Sequence, residues 1–116
     1  MNHCVALVTD LIFSTKVRGT AKDLGVGCRI VGSLAALEEA LLAEAASTVI
    51  VDLNADGVGG AEAIRVAKRA CPMARVLAYL SHVQAGLAAE ARGAGADEVM
   101  PRSVFVERLP ELLVGP

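Results

Sequence analysis

The sequence predicts an α/β fold in which a doubly wound, five-stranded parallel sheet forms one domain over residues 1–116. Three observations support this prediction. Patterns typical of strands and helices alternate five times along the chain, and the most apolar runs lack the polar alternation of half-exposed strands. The length of 116 residues is that of one compact domain, and its three aromatic residues leave the core to aliphatic side chains.

Five short segments have the composition of strands. Continuous apolar runs at residues 4–8, 48–53 and 76–80 predict strands that are buried on both faces, as in the middle of a parallel sheet. The segments at residues 28–31 and 98–100 are shorter and have polar flanks. We therefore expect these two segments at the edges of the sheet.

Helical periodicity fills the intervals between the first four strands. Apolar residues recur with helical spacing over residues 13–24, and Gly25 is suited to cap the end of that helix. Ser33 has the position of an N-cap for a second helix over residues 34–45. Pro72 ends the third helix because its ring cannot continue a helical backbone.

The last two helical segments depart from the usual pattern. The segment at residues 83–94 consists largely of Ala and Gly, so it can bury little apolar area. The segment from Ser103 onward contains Pro110, where we expect a kink or a restart of the helix.

The final segment also carries more apolar residues than one helical stripe is expected to bury. They are Phe105, Val106, Leu109, Leu112, Leu113 and Val114. We expect some of them to remain exposed and to form an interface with a second copy of the chain or with another protein. In the alternative, Pro110 splits the segment and both halves turn their apolar residues inward.

Composition disfavours several classes of protein. The net charge of -2 and the absence of a basic run argue against direct nucleic-acid binding. Apolar runs stay well below the roughly 20 residues of a membrane span, so we expect a cytoplasmic protein that does not bind membranes. Cys4, Cys28 and Cys71 have no CxxC spacing and are predicted to be buried thiols.

Polar side chains follow the predicted strands where ligands of doubly wound sheets collect. Asp10, Asp52 and Ser81 stand at the ends of the three most apolar strands, and Arg102 follows the fifth strand. Two carboxylates at one edge suit a hard cation such as Mg²⁺. The hydroxyl and the guanidinium would then face an anion.

The order of elements and the motifs resemble the receiver domain of bacterial two-component response regulators over essentially the whole chain. The matching motifs are Asp52-Leu53-Asn54, the glycine-containing loop at residues 55–60, and Gly95-Ala96-Asp97. The resemblance implies a flavodoxin-like (βα)5 fold with strand order 2-1-3-4-5.

The same resemblance implies roles for individual residues. It places Asp52 at the phospho-acceptor position and Asp10, Asp52 and Asn54 as the Mg²⁺ ligands, Asn54 through its backbone carbonyl. Ser81 corresponds to the hydroxyl that contacts the phosphoryl group, and Arg102 stands at the position of the family's lysine, also facing that group.

Several positions depart from the family pattern. Thr9 replaces one of two acids at the end of the first strand, and Arg102 replaces a lysine that it cannot mimic as a compact charge. His82 follows Ser81 where the family has a small residue, and Val99 replaces an aromatic residue. We therefore expect Mg²⁺ binding to be weak or absent, and Arg102 to form an ion pair with Asp52.

The sequence leaves two functions open. The first is a non-enzymatic, receiver-like signalling domain with a degenerate pocket around Asp52, acting through a protein partner such as a histidine kinase or a downstream regulator. The alternative is a competent single-domain response regulator that accepts a phosphoryl group on Asp52 with Mg²⁺.

Two other classes are disfavoured. Residues 52–57 match the first half of an EF-hand calcium loop, but Ala63 occupies the position that requires Glu. An α/β enzyme of another family is disfavoured because no Cys/His or Ser/His pair is placed for nucleophilic catalysis.

Overall fold

The computed structural model describes residues 2–55, 57–81 and 84–115, within which five strands alternate with five helices. In chain order they are β1 (His3–Leu7), α1 (Leu11–Leu24), β2 (Gly27–Val31), α2 (Leu34–Ala43), β3 (Thr48–Asp52), α3 (Gly60–Ala70), β4 (Arg75–Leu80), α4 (Ala85–Ala94), β5 (Glu98–Pro101) and α5 (Arg102–Val114). None of these helices is both long enough and apolar enough to cross a membrane.

The strands form one sheet in the order β2-β1-β3-β4-β5, and every neighbouring pair is parallel. This confirms the predicted fold class and strand order. All five residues of β3 are buried, as expected for a central strand covered on both faces. Because the strands run in one direction, their carboxyl ends meet at a single rim of the sheet.

Helices cover both faces of the sheet and divide the core in two. On one face, α2, α3 and α4 pack aliphatic residues such as Leu37 and Ile64 against the strands. On the other face, α1 and α5 enclose the three aromatic rings of Phe13, Tyr79 and Phe105. The two clusters arise because successive side chains of a strand point to opposite faces.

The predicted helix ends are confirmed at α1 and α2. Gly25 adopts a left-handed conformation with φ of 70° and its N–H bonds to carbonyls of the last turn of α1. The Ser33 hydroxyl accepts a hydrogen bond from the Ala36 N–H at 3.1 Å, so it caps α2. Ala91 is the one fully buried residue of α4, which agrees with the small apolar area expected of that helix.

The predicted restart at Pro110 is wrong, since α5 is one helix from Arg102 to Val114 with Pro110 inside it, and the predicted kink stays a prediction. Pro110 is on the exposed side of the helix. Proline has no N–H group, so Pro110 cannot donate the helical hydrogen bond to the Val106 carbonyl four residues earlier. Val106 is only half-buried. One proline is therefore accommodated without ending the helix.

Most of the apolar residues that the sequence singled out in α5 are buried, so fewer of them than expected remain for an interface, and the interface itself stays a prediction. Phe105, Leu109, Leu112 and Leu113 are each at most 1% exposed. Their spacing of four, three and one residues places them on one stripe of a continuous helix, which α1 and the sheet cover completely. Only Val114, at 47%, and the half-buried Val106 keep contact with solvent among the six apolar residues.

The burial of Leu113 predicts the effect of shortening it. Leu113→Ala should lower the free energy of unfolding by about 2–5 kcal/mol, because it removes buried methyl groups and leaves a cavity. The matched control Val114→Ala, one residue further on and exposed, should change it by less than about 0.5 kcal/mol. Urea denaturation of both variants measures the difference, and equal effects would contradict the assignment of Leu113 to the core.

Candidate functional site

The rim at the carboxyl ends of the strands holds the polar residues that the sequence singled out. Asp10 lies just after β1 at the start of α1, and Asp52 is the last residue of β3. Ser81 follows β4, and Arg102 is the first residue of α5. Each is placed by a strand end and not by a long loop, so their relative positions are fixed by the sheet.

Asp10 uses both oxygens of its carboxylate. Its Oδ1 accepts hydrogen bonds from the N–H groups of Ile12 at 2.9 Å and Phe13 at 3.2 Å, which makes it the N-cap of α1. Its Oδ2 accepts a hydrogen bond from Arg102 Nη2 at 2.7 Å. The same guanidinium lies 4.5 Å from the centre of the Phe13 ring, a cation–π contact that further fixes its position.

The structure corrects the predicted ion pair of Arg102, whose partner is Asp10 and not Asp52. Both α1 and α5 cover the same face of the sheet, so the first turn of α5 lies beside the N-cap of α1. Asp10 and Arg102 keep about a third of their side chains exposed, whereas Asp52 is only 8% exposed. The guanidinium therefore keeps part of its hydration when it pairs with Asp10.

The two carboxyl groups have opposite pKa shifts. The hydrogen bond from Arg102 holds the pKa of Asp10 below its ordinary value, with help from the backbone donors of α1. Burial raises the pKa of Asp52, although the Asn54 N–H donates to its Oδ1 at 2.8 Å and Arg102 lies near enough to oppose the rise. Asp10 is thus the ionised partner of the cation, and Asp52 is the carboxyl group that resists ionisation.

The side chain of Asn54 joins two loops of the rim. Its Oδ1 accepts a hydrogen bond from the Ser81 N–H at 2.7 Å, and its Nδ2 donates to Gln84 Oε1 at 2.9 Å. Asn54 thereby connects the end of β3 to the end of β4 and to the N-cap of α4. Gln84 is absent from the residues that the sequence singled out, because it lies within the predicted fourth segment at residues 83–94, whereas in the structure it precedes α4.

Tyr79 lies beside Asp52 on the neighbouring strand β4, and it too is absent from the residues that the sequence singled out. The two residues are paired in register on β4 and β3, and Tyr79 stacks on Phe13 and Phe105 at centroid distances of 4.8 and 4.7 Å. Its hydroxyl is buried and has no well-aligned hydrogen-bond partner among the described residues, although it lies close enough to Asp52 to lower the pKa of that carboxyl group. Burial also raises the pKa of this hydroxyl. Its position two residues before Ser81, on the same face of the strand, was the available signal.

Among the described residues, the oxygen donors at the rim do not fit a tightly held Mg²⁺ ion. Mg²⁺ requires oxygen ligands in octahedral geometry, commonly from one or two carboxylates and water. Both oxygens of Asp10 are already engaged, Thr9 supplies no charge, and Asp52 is buried. Within residues 2–55, 57–81 and 84–115, no three or more His, Cys, Asp or Glu side chains cluster as a metal site. His82 and Asp56, which the sequence places nearby, lie outside the described residues.

Receiver domains are among the solved structures that share this fold. The chain superposes on a response regulator protein from Burkholderia pseudomallei, crystallised with a phosphorylated aspartic acid, calcium ion and citrate, with a TM-score of 0.87 and 19% identity over 97% of this chain and 66% of that one. A CheY-like receiver domain protein from Methanospirillum hungatei JF-1 gives 0.84 and 14% over 94% and 87%.

A third structure is the beryllofluoride-activated NtrC4 receiver domain dimer, with a TM-score of 0.81 and 14% identity over 98% of each chain. No protein-family model and no curated protein matches the sequence. The chain therefore has the fold of response-regulator receiver domains, and it spans about two thirds of the Burkholderia protein.

Asp52 and Asp97 lie in opposite environments, so replacing each of them by Asn should change the free energy of unfolding in opposite directions. Burial raises the pKa of Asp52, so its ionisation destabilises the fold as pH rises through the raised value. Asp97 is partly buried, but hydrogen bonds from the Val76 N–H at 2.7 Å and Lys68 Nζ at 3.0 Å lower its pKa. Its ionisation stabilises the fold above the ordinary carboxyl pKa of about 4, and this stabilisation is lost as pH falls through the lowered value.

Accordingly, Asp52→Asn should increase the free energy of unfolding at neutral pH, and the increase should vanish as the pH falls below about 4. The matched variant Asp97→Asn should decrease the free energy of unfolding at neutral pH. Urea denaturation over a pH series measures both effects. A loss of stability at neutral pH in Asp52→Asn would show that its carboxylate is stabilised by contacts that the structure does not contain.

Proposed function

We propose that this protein is a receiver-like signalling domain with a degenerate pocket around Asp52, and that it acts by binding a protein partner without Mg²⁺-dependent phosphorylation. The observation that carries the proposal is the 2.7 Å ion pair between Arg102 and Asp10 in the acidic pocket. The receiver fold supports the signalling class, since the solved structures with this fold are described as response regulators or their receiver domains.

The charge of the pocket supports its degeneracy. The rim holds two carboxylates, Asp10 and Asp52, and one fixed cation, Arg102. A divalent ion would have to displace the guanidinium from Asp10, breaking a charge-assisted hydrogen bond and leaving Arg102 close to the bound ion. The chain's own guanidinium thus takes the place that the family resemblance gives to Mg²⁺.

The environment of Asp52 supports the same proposal. A carboxyl group attacks a phosphoryl donor as the ionised carboxylate, and burial, which raises the pKa of Asp52, disfavours that form. The Asn54 N–H opposes the rise in pKa, but its hydrogen bond at 2.8 Å occupies one of the two oxygens that could attack. Asp52 is therefore a weaker nucleophile than a solvated strand-end carboxylate.

The alternative function is a competent phospho-accepting response regulator. It is supported by the position of Asp52 at the end of β3 and by the Asn54 side chain, which holds Ser81 on the neighbouring loop. The Burkholderia protein of the same fold carries a phosphorylated aspartic acid. In this alternative Arg102 leaves Asp10 and, with Ser81, contacts the phosphoryl group.

A protein partner is the third part of the proposal, either a histidine kinase, a downstream regulator or a second copy of the chain. A shallow groove between α4 and β5 is lined mainly by apolar groups, including Leu80, Ala88 and Val99. The NtrC4 receiver domain of the same fold is a dimer. Both observations support association through a protein surface.

Phosphorylation with a small-molecule donor tests the proposed function. After incubation with acetyl phosphate and Mg²⁺, the intact mass of the protein should remain unchanged. The double variant Thr9→Asp/Arg102→Lys restores an acid and a compact ammonium, and it should gain one phosphoryl group. Adding Asp52→Asn to that variant should abolish the gain. A phosphoryl group on Asp52 of the unsubstituted protein would establish the alternative function.

Calorimetric titration with Mg²⁺ tests the pocket separately from the chemistry. The unsubstituted protein should bind Mg²⁺ weakly or not at all. Thr9→Asp adds a carboxylate and Arg102→Ala frees one oxygen of Asp10, so the double variant should bind at least about tenfold more tightly. The distant variant Arg65→Ala on α3 serves as the control for loss of a cation. Tight binding by the unsubstituted protein would contradict the proposal.

A further inference from the structure

Two cysteines face each other across the edge of the sheet. The register of β1 and β2 pairs Cys4 directly with Cys28. Cys4 is fully buried in the cluster under α1 and α5, and Cys28 packs half-buried against that same cluster. Cys28 is therefore not the fully buried thiol that the sequence predicted. Cys71 belongs to the opposite face of the sheet, where its Sγ donates to the Ala46 carbonyl at 3.4 Å.

The spacing of the two strands suits a covalent link between these thiols. Neighbouring strands lie about 4.8 Å apart, which is within the range of about 4.4–6.8 Å between the Cα atoms of disulfide-bonded cysteines. Because β2 is an edge strand with β1 as its one neighbour in the sheet, it can shift slightly without disturbing a second ladder. Both side chains point to the same face, so neither strand has to rotate.

The two thiols differ in reactivity. The neighbouring Cys4 thiol and the Arg18 guanidinium on α1 stabilise the Cys28 thiolate against the effect of burial, and they hold the pKa of Cys28 below its ordinary value. The pKa of Cys4 is raised well above its ordinary value by Cys28 and by burial. Since the thiolate is the reactive form and Cys28 is partly accessible, an oxidant in solution meets Cys28 first.

We propose that Cys4 and Cys28 form a peroxide-sensitive dithiol site, in which Cys28 is oxidised first and Cys4 then closes a disulfide between β1 and β2. The oxidant is hydrogen peroxide. The site lies near the amino end of β1, at the opposite end of that strand from Asp10. Its chemistry is therefore independent of the pocket around Asp52.

The reaction has two steps. The Cys28 thiolate attacks one peroxide oxygen, the O–O bond breaks, and the departing hydroxide takes up a proton to become water. Cys28 is then a sulfenic acid. The Cys4 sulfur attacks the Cys28 sulfur, the S–O bond breaks, and the hydroxide leaves as water with the Cys4 proton. The two sulfurs lose two electrons in total, and these reduce the peroxide.

Peptide mapping of the peroxide-treated full chain tests the proposal. Trypsin places the three cysteines in separate peptides, namely residues 1–16, 23–29 and 70–75. Each chain of the reduced protein should lose the mass of two hydrogens without forming a disulfide to another chain, and the first two peptides should become linked. Oxidation of the exposed Met73 appears separately, as an added oxygen in the third peptide.

Single substitutions assign the two roles. Cys4→Ala should accumulate a sulfenic acid at Cys28, which dimedone traps as a thioether. Cys28→Ala should leave Cys4 as a free thiol, and the matched control Cys71→Ala should form the disulfide as the unsubstituted protein does. If Cys4→Ala fails to fold, the mapping of the unsubstituted protein still decides.

Three free thiols after treatment, a link that involves Cys71, or a disulfide between two chains would each overturn the proposal. The proposal would also be overturned if peroxide oxidised Cys4 in the Cys28→Ala variant as fast as it oxidises Cys28 in the Cys4→Ala variant. The buried thiol would then be as good a first site of attack as Cys28. None of these outcomes bears on phosphorylation at Asp52, so the two proposals fail separately.

Discussion

Strand β3 is buried on both faces along its whole length, and the candidate site depends on that constraint. Such a strand has to be paired on both sides and covered by helices above and below, which fixes the ends of β1 and β4 beside its own end. Asp52 is the last residue of this strand and shares a sheet face with Tyr79. Its raised pKa is therefore a direct result of where the strand ends.

The distribution of charge at the rim follows from the helices. The N-terminus of α1 needs an acceptor for its first N–H groups, and Asp10 supplies it with one oxygen. The second oxygen stays close to solvent, where Arg102 reaches it from the start of α5 and lies against Phe13. Asp52 has no comparable access to a hydrated cation. The pocket is thus divided into an ionised surface pair and a buried carboxyl group, although both acids follow apolar strands in the sequence.

Periodicity was sufficient to predict the order of strands and helices along the chain, whereas the order of strands in the sheet was predicted from the family resemblance. The apolar run of β3 and the helical stripe of α1 report burial directly, so the order of the elements follows from the sequence alone. The prediction that the helix restarts at Pro110 was wrong because the apolar residues were counted without considering their angular positions around one continuous helix. Phe105, Leu109, Leu112 and Leu113 share one stripe only if the helix continues through Pro110, and a break at the proline would separate them.

The location of the site residues was predictable from the sequence, but the contacts between their side chains were not. Strand ends located Asp10, Asp52, Ser81 and Arg102 correctly at one rim. Which acid Arg102 would choose depends on the burial of Asp52 and on the proximity of α1 to α5, and neither is encoded in local spacing. Tyr79 and Gln84 were missed for a related reason, since their roles depend on cross-strand register and on the orientation of the Asn54 amide. Pairings of side chains across elements depend on the three-dimensional packing of those elements.

The meagre burial of α4 has a consequence for local unfolding. With Ala91 as its one fully buried residue and Gly86 and Gly93 in its sequence, this helix is held to the sheet by less apolar area than its neighbours. Segments of this kind open with a small free energy while the rest of a domain stays folded. The hydrogen bond between Asn54 and Gln84 therefore connects the rim to a helix that we expect to unfold locally at a small cost in free energy. A protein that binds this helix would order it, and the entropy lost in doing so would reduce its affinity.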